Sequence, residues 1–106
     1  MNTLALTKID IPMNNITVTN NALSALKLPE IFSALERHAR GDWGDICPID
    51  AERNIEAFHE GSRIFSAYGE GIRRFWIITD GDLTETAVLL PIDYAKGVYD
   101  VHQTNH

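Results

Sequence analysis

The spacing of apolar residues changes at Gly61, and no other feature of the chain constrains its fold as strongly. Before Gly61, apolar residues recur every three or four positions, which is typical of amphipathic helices. After Gly61 the chain holds three β-rich runs: SRIFSAY (62–68), RRFWIIT (73–79) and TAVLLPI (86–92). A chain that passes from helices to strands in this way predicts an α+β fold, with the helices packed on a sheet.

The helices of the first part of the chain carry recognisable start and stop signals. A short helix is predicted over NALSALKL (21–28), with Thr19 or Asn20 as its N-terminal cap. A second helix begins at Pro29 and ends at Gly41. Its expected apolar stripe comprises Ile31, Phe32, Leu35 and Ala39.

A third helix is predicted from about Pro48 to His59, and residues 16–19 are expected to add a short β-strand. Short turns at 69–72 and 80–85 join the three later runs, which indicates an antiparallel meander. The expected architecture is therefore two to three N-terminal helices packed on a three- or four-stranded antiparallel sheet.

Length and cysteine content limit the organisation of the protein and its compartment. The 106 residues fit one domain, expected over 1–94, with a loosely ordered tail over 95–106. The single cysteine, Cys47, excludes an intramolecular disulfide and gives no Cys/His cluster for zinc. The chain shows neither a signal peptide nor the ~18 apolar residues of a membrane span. We expect a cytoplasmic protein without a cofactor or membrane association.

The charge balance indicates the kind of partner. The chain has 15 acidic and 9 basic residues, and its formal net charge is −6. Proteins that bind nucleic acid need cations for the phosphates, so direct nucleic-acid binding is not expected. Because bases are interspersed among the acids, the pattern also disfavours a DNA mimic. It favours a partner protein with a basic surface.

The stretch HARGDWGDICPID (38–50) is the first candidate site. Asp42 and Asp45 flank Trp43, which suggests either a metal site or a basic-partner site with an aromatic anchor. Calcium loops place oxygen ligands at i, i+2 and i+4, whereas the aspartates at 42, 45 and 50 are 3 and 5 residues apart. The interpretation that we favour is an interhelical turn in which Trp43 packs between helix and sheet.

A second group of acids lies in the turn DGDLTE (80–85). Paired carboxylates such as Asp80 and Asp82 can perform acid–base chemistry, but solvated turn residues are more common. His38 and His59 end helices, where a cationic imidazole is favourable, and Ser66 has no obvious base. No catalytic or metal-binding residue is therefore predicted.

The run FWII (75–78) raises the question of what covers the sheet. If Phe75 and Ile77 face the helices, then Trp76 and Ile78 face outward. Such an aromatic and aliphatic strip would serve for binding or for self-association. The alternative is that the tail or an N-terminal strand covers it.

Six landmarks follow one another along the chain: VTNNAL (18–23), HARGDWGD (38–45), Asn54, GSRIFSAY (61–68), WIITDGDL (76–83) and LLPIDY (89–94). Their order resembles a family of small uncharacterised bacterial, phage and plasmid proteins with the pattern HxxGDWG, GxRxxSxY, WIITExDR and LLPxEY. The resemblance implies residence on a mobile element, where small acidic proteins frequently act on host proteins. Leu83 stands where the family pattern has Arg, and Asp80 where it has Glu.

Three functional hypotheses follow. The first is a non-enzymatic acidic binding protein of a phage or mobile element, which occludes a host protein of a defence or nucleic-acid-processing system. Its expected contact residues are Asp42, Trp43, Asp45, Trp76, Asp80 and Asp82. The alternative is a small metal-dependent hydrolase or nuclease that uses Asp42, Asp45 and His59. The third is a homodimer formed through the strip around Trp76.

Overall fold

A computed structural model of the protein describes residues 8–95. The elements are β1 (Ile16–Val18), α1 (Asn20–Ala25), α2 (Leu28–Ala39), α3 (Pro48–Glu60), β2 (Ile64–Tyr68), β3 (Phe75–Thr79), β4 (Thr86–Leu89) and α4 (Pro91–Ala95). The four strands form one sheet in the order β1-β4-β3-β2. The predicted α+β fold is confirmed. No helix within residues 8–95 is long and apolar enough to cross a membrane.

The sheet is mixed, which corrects the expectation of an antiparallel sheet. The meander β2-β3-β4 is antiparallel as predicted, with Ser66 opposite Ile77 and Ile77 opposite Val88. The strand expected at 16–19 is present as β1, but it runs parallel to β4. Three helices separate β1 from β2 along the chain. No short turn therefore imposes an antiparallel direction on β1. The direction of β1 depends instead on how the helices place it beside β4.

The buried face of α2 differs from the predicted stripe. Ile31, Leu35 and His38 are buried, whereas Phe32 is 61 % exposed. Positions three or four apart share one side of a helix, and Phe32 lies about 100° around the helix from Ile31. Pro29 stands in the first turn, and Gly41 follows the helix with a φ of +86°, as its stop signal predicted.

The helices α1 and α2 cover one face of the sheet, which we call the helix face. Its core comprises Ala22, Leu26, Ile31, Ala34, Leu35, Tyr68, Phe75, Ile77 and Val88. A second cluster, around Ile11, Trp43, Ala57 and Ile64, joins α3 and the α2–α3 loop to the start of β2. Fully burying a side chain such as Ile77 contributes about 2 kcal/mol to folding. The helix face therefore accounts for much of the stability.

The helix α4 was not predicted, and it forms around a buried carboxylate. Asp93 is 1 % exposed and accepts hydrogen bonds from Thr19 Oγ1 (2.6 Å), Asn21 Nδ2 (2.6 Å) and the Leu90 amide (2.9 Å). Thr19 also caps α1, as predicted, by accepting from the Ala22 amide. Asp93 therefore ties the start of α1 to the end of β4. The predicted tail lies outside the described residues, apart from Ala95 in α4.

Candidate functional site

The α2–α3 loop, with the sequence GDWGD (41–45), lies along the outer edge of β2. The Ala67 amide donates to the Trp43 carbonyl (3.1 Å), and the Asp45 amide donates to the Ala67 carbonyl (2.8 Å). Gly44 faces Ala67 with a φ of +73°, and a β-carbon there would lie 2.1 Å from the Ala67 carbonyl oxygen. Only glycine allows this approach, because any side chain would collide with the strand.

Asn54 of α3 covers the remainder of the same edge. Its side-chain amide donates to the Phe65 carbonyl (2.6 Å) and accepts from the Phe65 amide (3.1 Å). Asn54 is 5 % exposed, so these bonds are made away from solvent. An uncovered edge strand offers its backbone groups to other chains. The loop and Asn54 together remove that possibility at β2.

The aspartates of the loop are compensated by the protein itself. Asp42 forms two hydrogen bonds with the Arg37 guanidinium (2.7 and 3.0 Å), and Asp45 pairs with Arg74 at 2.9 Å. The hydrogen bonds from Arg37 hold the pKa of Asp42 below its ordinary value. Both carboxylates are exposed, but each one already has a cationic partner. Neither offers an uncompensated charge to a basic protein.

The same end of the sheet is braced by further contacts. Arg37 lies over the ring of Tyr68 (4.9 Å to the centroid), and the Tyr68 hydroxyl donates to the Asp42 carbonyl (2.8 Å). Burial raises the pKa of Tyr68 to about 12, so this hydroxyl keeps its proton. Arg73 pairs with Glu30 at the start of α2. We call this region the loop end, because it holds the α2–α3 loop, the last residue of β2 and the start of β3.

Trp43 lies in the core and is 6 % exposed. Its ring meets that of His38 edge-on, with 5.8 Å between the centroids. The structure therefore places Trp43 inside the molecule, where it cannot anchor a partner, and corrects its assignment as a contact residue. Its position agrees with the favoured interpretation, in which Trp43 packs between helix and sheet and holds the interhelical turn.

His38 is completely buried, contrary to the expectation of a cationic imidazole at a helix end. Its Nδ1 lies 2.5 Å from Ser66 Oγ, and its Nε2 lies 2.7 Å from Thr79 Oγ1. Thr79 in turn lies 2.9 Å from Thr86 Oγ1. Burial lowers the pKa of His38 to about 4, so the imidazole is neutral at pH 7. We call these four side chains the buried polar network.

The buried polar network brings a serine next to a histidine, a pair that sequence reasoning missed. A Ser–His pair is the arrangement of a nucleophile and its base. Here, however, Ser66 and His38 both have 0 % exposure, and the second nitrogen of His38 is occupied by Thr79. No substrate reaches the hydroxyl in this arrangement. The network joins α2 to three strands and acts as a structural element.

Asp80 and Asp82 lie at the opposite end of the sheet from the loop. Thr79 ends β3 opposite Ile64, whereas Asp45 pairs with Arg74 at the start of β3. Five residues of extended strand separate the two ends by roughly 15 Å. The six predicted contact residues therefore do not form one surface. We call the end that holds the β3–β4 turn (80–85) the turn end.

The two aspartates of the turn differ in their environment. Asp80 lies 3.8 Å from Arg63, whereas Asp82 accepts hydrogen bonds from the amide and the hydroxyl of Thr84. The hydrogen bond from the Thr84 side chain lowers the pKa of Asp82. No basic residue pairs with Asp82 among the described residues. Its negative charge is therefore available to solvent.

Trp76 lies on the face opposite the helices, as the alternation predicted, but the strip around it is only partly open. Its ring packs edge-on against Phe65 (5.2 Å) and Tyr94 (5.9 Å). Ile78 is 3 % exposed and Leu89 is fully buried on the same face. An apolar strip offers a contact surface only where it is exposed. Ile78 and Leu89 are covered, whereas Trp76 is half-buried and Tyr94 is 42 % exposed, so only part of the strip required by the third hypothesis is exposed.

The residues that the alternative hypothesis of a metal-dependent enzyme would use do not converge. His59 stands in the last turn of α3 with its ring against Phe58, whereas Asp45 precedes the first turn. The length of α3 separates these two residues by roughly 17 Å. Residues 8–95 contain no group of three His, Cys, Asp or Glu side chains that could hold a metal ion.

Acidic side chains without a salt-bridge partner among the described residues are most concentrated on α3 and the turn end. Glu52, Glu56 and Glu60 are four residues apart, so they share one side of α3, opposite the buried Asn54 and Ala57. None of the three glutamates forms a salt bridge with a described residue.

The turn packs against the end of α3, where a β-carbon on Gly81 would lie 2.9 Å from the Gly61 carbonyl oxygen. Glu60 and Asp82 adjoin these two glycines along the chain. The acidic surface, as we name it, comprises Glu52, Glu56, Glu60, Asp82 and Glu85.

Comparison with known proteins adds no assignment. The chain matches no protein-family model, and neither the curated proteins nor the solved structures give a significant match. The resemblance of the sequence landmarks to phage and plasmid proteins therefore stays a prediction. In the structure, the landmark residues Trp43, Asn54, Ser66 and Thr79 all serve internal contacts.

Proposed function

We propose that the protein is a non-enzymatic binding protein that acts in the cytoplasm and occludes a basic surface of a host protein. The observation that supports this proposal is the uneven distribution of charge over the chain. Residues 48–63 and 80–85 contain seven acids and two arginines, a net charge of −5. Residues 27–45 and 69–74 contain five acids and five bases. Nearly all of the net charge of −6 therefore falls on α3 and the turn end.

An uneven charge distribution of this kind favours association with a basic surface. A patch of one sign attracts the opposite sign over about a Debye length, which is ~8 Å at physiological salt. The patch raises the association rate and orients the partner before contact. The acidic surface replaces the aspartates of the loop, Asp42 and Asp45, as the proposed point of contact.

The sequence landmarks indicate the biological setting of the proposal. They resemble phage and plasmid proteins, whose hosts are bacteria. Small acidic proteins of mobile elements frequently act on host proteins, and a defence or nucleic-acid-processing protein has the basic surface that the acidic surface requires. The proposed mechanism is steric: the bound protein blocks the site at which its partner would contact nucleic acid.

Capture from a bacterial lysate tests the proposal. The tagged protein is expected to retain a dominant partner at 50 mM salt and to release it at 500 mM salt. The triple variant E52Q/E56Q/E60Q removes three exposed glutamates that have no salt bridge. Because these charges govern steering, we expect about tenfold less captured protein.

A matched variant separates a local effect from a change in net charge. D10N/E36Q/E70Q also removes three exposed acids, from other parts of the molecule. We expect it to capture the partner as well as the wild type does. If both triple variants lose the partner equally, or if neither does, the acidic surface is not the contact.

A further inference from the structure

The two edge strands of the sheet, β1 and β2, differ in the hydrogen bonding of their outward backbone groups. At β2, the backbone groups of Phe65 and Ala67 are bonded to Asn54 and to the α2–α3 loop. At β1, the opposite edge, no described residue hydrogen-bonds to the outward backbone groups. Within residues 8–95, the chain therefore covers one edge with its own residues and leaves the outward groups of the other edge without a partner.

The register of β1 shows which groups are unpaired. The Asn15 carbonyl accepts from the Thr86 amide (2.8 Å), and the Thr19 amide donates to the Val88 carbonyl (3.0 Å). Successive residues of a strand direct their backbone groups to opposite sides, so Thr17 also faces β4. Ile16 and Val18 must then direct their N–H and C=O groups away from the sheet.

The open edge is short, with three residues, but it carries no side chain that prevents pairing. Edge strands commonly carry a lysine, a proline or a bulge that prevents another strand from adding. The strand Ile16–Val18 has none of these, and no charged residue occurs in residues 11–26. Ile16 is 42 % exposed, and Leu23 of α1 is 49 % exposed. The edge is therefore uncharged and partly apolar.

We propose that β1 pairs antiparallel with β1 of a second copy of this chain. In the register that uses all the outward groups, Ile16 lies opposite Val18 of the partner subunit, and Thr17 lies opposite Thr17 of the partner subunit. Each Ile16–Val18 pair exchanges two main-chain hydrogen bonds, so the arrangement is two-fold symmetric. The two four-stranded sheets then form one continuous sheet.

The charge distribution favours a second copy over another occupant. Two copies each carry a net charge of −6, so their repulsion opposes association least where the facing surfaces are both uncharged. The uncharged stretch that holds β1 provides such a surface, and β1 lies across the sheet from β2, the strand that α3 contacts. The glutamates of α3 therefore stay free for the partner of the proposed function, on which this inference does not depend.

Two paired strands of three residues each form a small interface, and small interfaces are weak. Sedimentation velocity between about 10 μM and about 1 mM therefore tests the pairing. We expect the mass of the wild type to rise from 11.9 kDa towards twice that value. Ile16→Lys places two cations across the new pair and should keep the protein monomeric. Ile72→Lys is the matched control, because Ile72 is 97 % exposed on the turn Gly71–Arg73. This control should dimerise like the wild type.

A cysteine at the symmetry axis tests the register. Thr17 and its counterpart form a non-hydrogen-bonded pair with Cα atoms about 4.5 Å apart, which suits a disulfide. Thr17→Cys, in a Cys47→Ser background that removes the native exposed thiol, should form a covalent dimer on mild oxidation. Ile72→Cys in the same background should form no covalent dimer, because its thiol lies away from the paired strands.

A mass that stays at 11.9 kDa throughout the concentration range overturns the proposal. So does a dimer that Ile16→Lys leaves intact, or a Thr17→Cys variant that links no faster than Ile72→Cys. No host protein is present in either experiment. A negative result here therefore leaves the proposed contact through the acidic surface to be judged separately.

Discussion

At the scale of single residues, His38 is the most informative position in the chain. It continues the buried stripe of α2, three residues beyond Leu35, and yet it carries a polar ring. The core accepts it because both nitrogens meet hydroxyl groups, those of Ser66 and Thr79. Buried polar groups cost little when every donor and acceptor is paired. Protonation of the buried imidazole, in contrast, destabilises the folded protein.

The first prediction concerns the pH dependence of stability. The pKa of His38 is about 4 in the folded protein, against 6.5 when it is unperturbed. Between these values the unfolded chain binds a proton and the folded chain does not, so stability falls as the pH is lowered from 6.5 to 4. The full loss amounts to roughly 3 kcal/mol. Urea unfolding at intervals of half a pH unit measures it.

Two variants isolate the contribution of His38 to this pH dependence. His38→Gln should be less stable at pH 7 and should lose the slope between pH 4.5 and 6.5, because glutamine does not titrate. His59→Gln changes an exposed histidine and should keep the slope. Carboxylates with lowered pKa values change the stability only below about pH 4, so they do not affect the slope measured between pH 4.5 and 6.5. An undiminished slope in His38→Gln would contradict the assignment.

At the scale of elements, the edge of β2 explains why the sequence landmarks are where they are. Gly44, Trp43 and Asn54 come from a loop and a helix, and all three contribute to covering one strand or to fixing the loop that covers it. The landmark residues therefore support the fold. A functional site has to be sought among residues that make no such contacts.

The second prediction concerns Asn54. Asn54→Ala removes both side-chain hydrogen bonds to Phe65. The backbone amide and carbonyl of Phe65 are then left without these partners. We expect a loss of about 2 kcal/mol in the free energy of unfolding, and a tendency to aggregate because the edge is opened. Urea unfolding and light scattering measure the two effects.

The matched control for Asn54→Ala is the neighbouring Arg53→Ala. The Arg53 side chain is 74 % exposed and only distantly paired with Asp50. This control should change stability by less than ~0.5 kcal/mol. Equal effects of the two substitutions would show that Asn54 does not protect the edge.

The third prediction concerns Asp93. Burial acts to raise the pKa of Asp93, but the hydrogen bonds that it accepts outweigh burial, so its pKa lies below the ordinary value. Asp93→Asn replaces one accepting oxygen with a donor and breaks at least one of the bonds from Thr19, Asn21 and Leu90. We expect thermal unfolding to show a loss of about 2 kcal/mol.

The exposed Asp10→Asn is the control for Asp93→Asn and should leave the transition unchanged. The stability contributed by the low pKa of Asp93 is present above its unfolded value of about 3.9 and is lost below it. The difference between the wild type and Asp93→Asn should therefore shrink below about pH 4. A difference that persists unchanged at pH 3 would contradict this role.

Sequence patterns predicted the helices α2 and α3 well, because Pro29, Pro48 and the terminal glycines are local signals. They did not predict that β1 runs parallel to β4, since strand alternation contains no information about the neighbouring strand. They missed α4, which has five residues and depends on Asp93. They also missed the burial of His38, because a histidine in the last turn of a helix is usually solvated.

At the scale of the whole molecule, the net charge is distributed unevenly. The loop end is neutral and crosslinked by its own ion pairs, whereas α3 and the turn end carry the net charge. Of the six residues expected to contact a partner, Asp82 lies on the acidic surface, and Asp80 lies beside it but is paired with Arg63. Asp42, Asp45, Trp43 and Trp76 lie in other places.

The sequence could not reveal this difference. Asp42 and Asp45 look as acidic as Asp82 along the chain, and only the fold brings Arg37 and Arg74 to them. Arg74 is 29 residues from Asp45, so its pairing depends on how the loop meets the sheet. The glutamates of α3 are visible as a four-residue repeat, but a charged helix face is ordinarily only a solvated one.

The proposed function requires that the acidic surface attract basic partners. Titrating ¹⁵N-labelled protein with octalysine and following the amide shifts at 50 mM salt tests it most directly. We predict that the shifted amides cluster in residues 52–60 and 82–85 and that the shifts vanish at 500 mM salt. Shifts centred on residues 42–45, or spread evenly over the surface, would contradict the account.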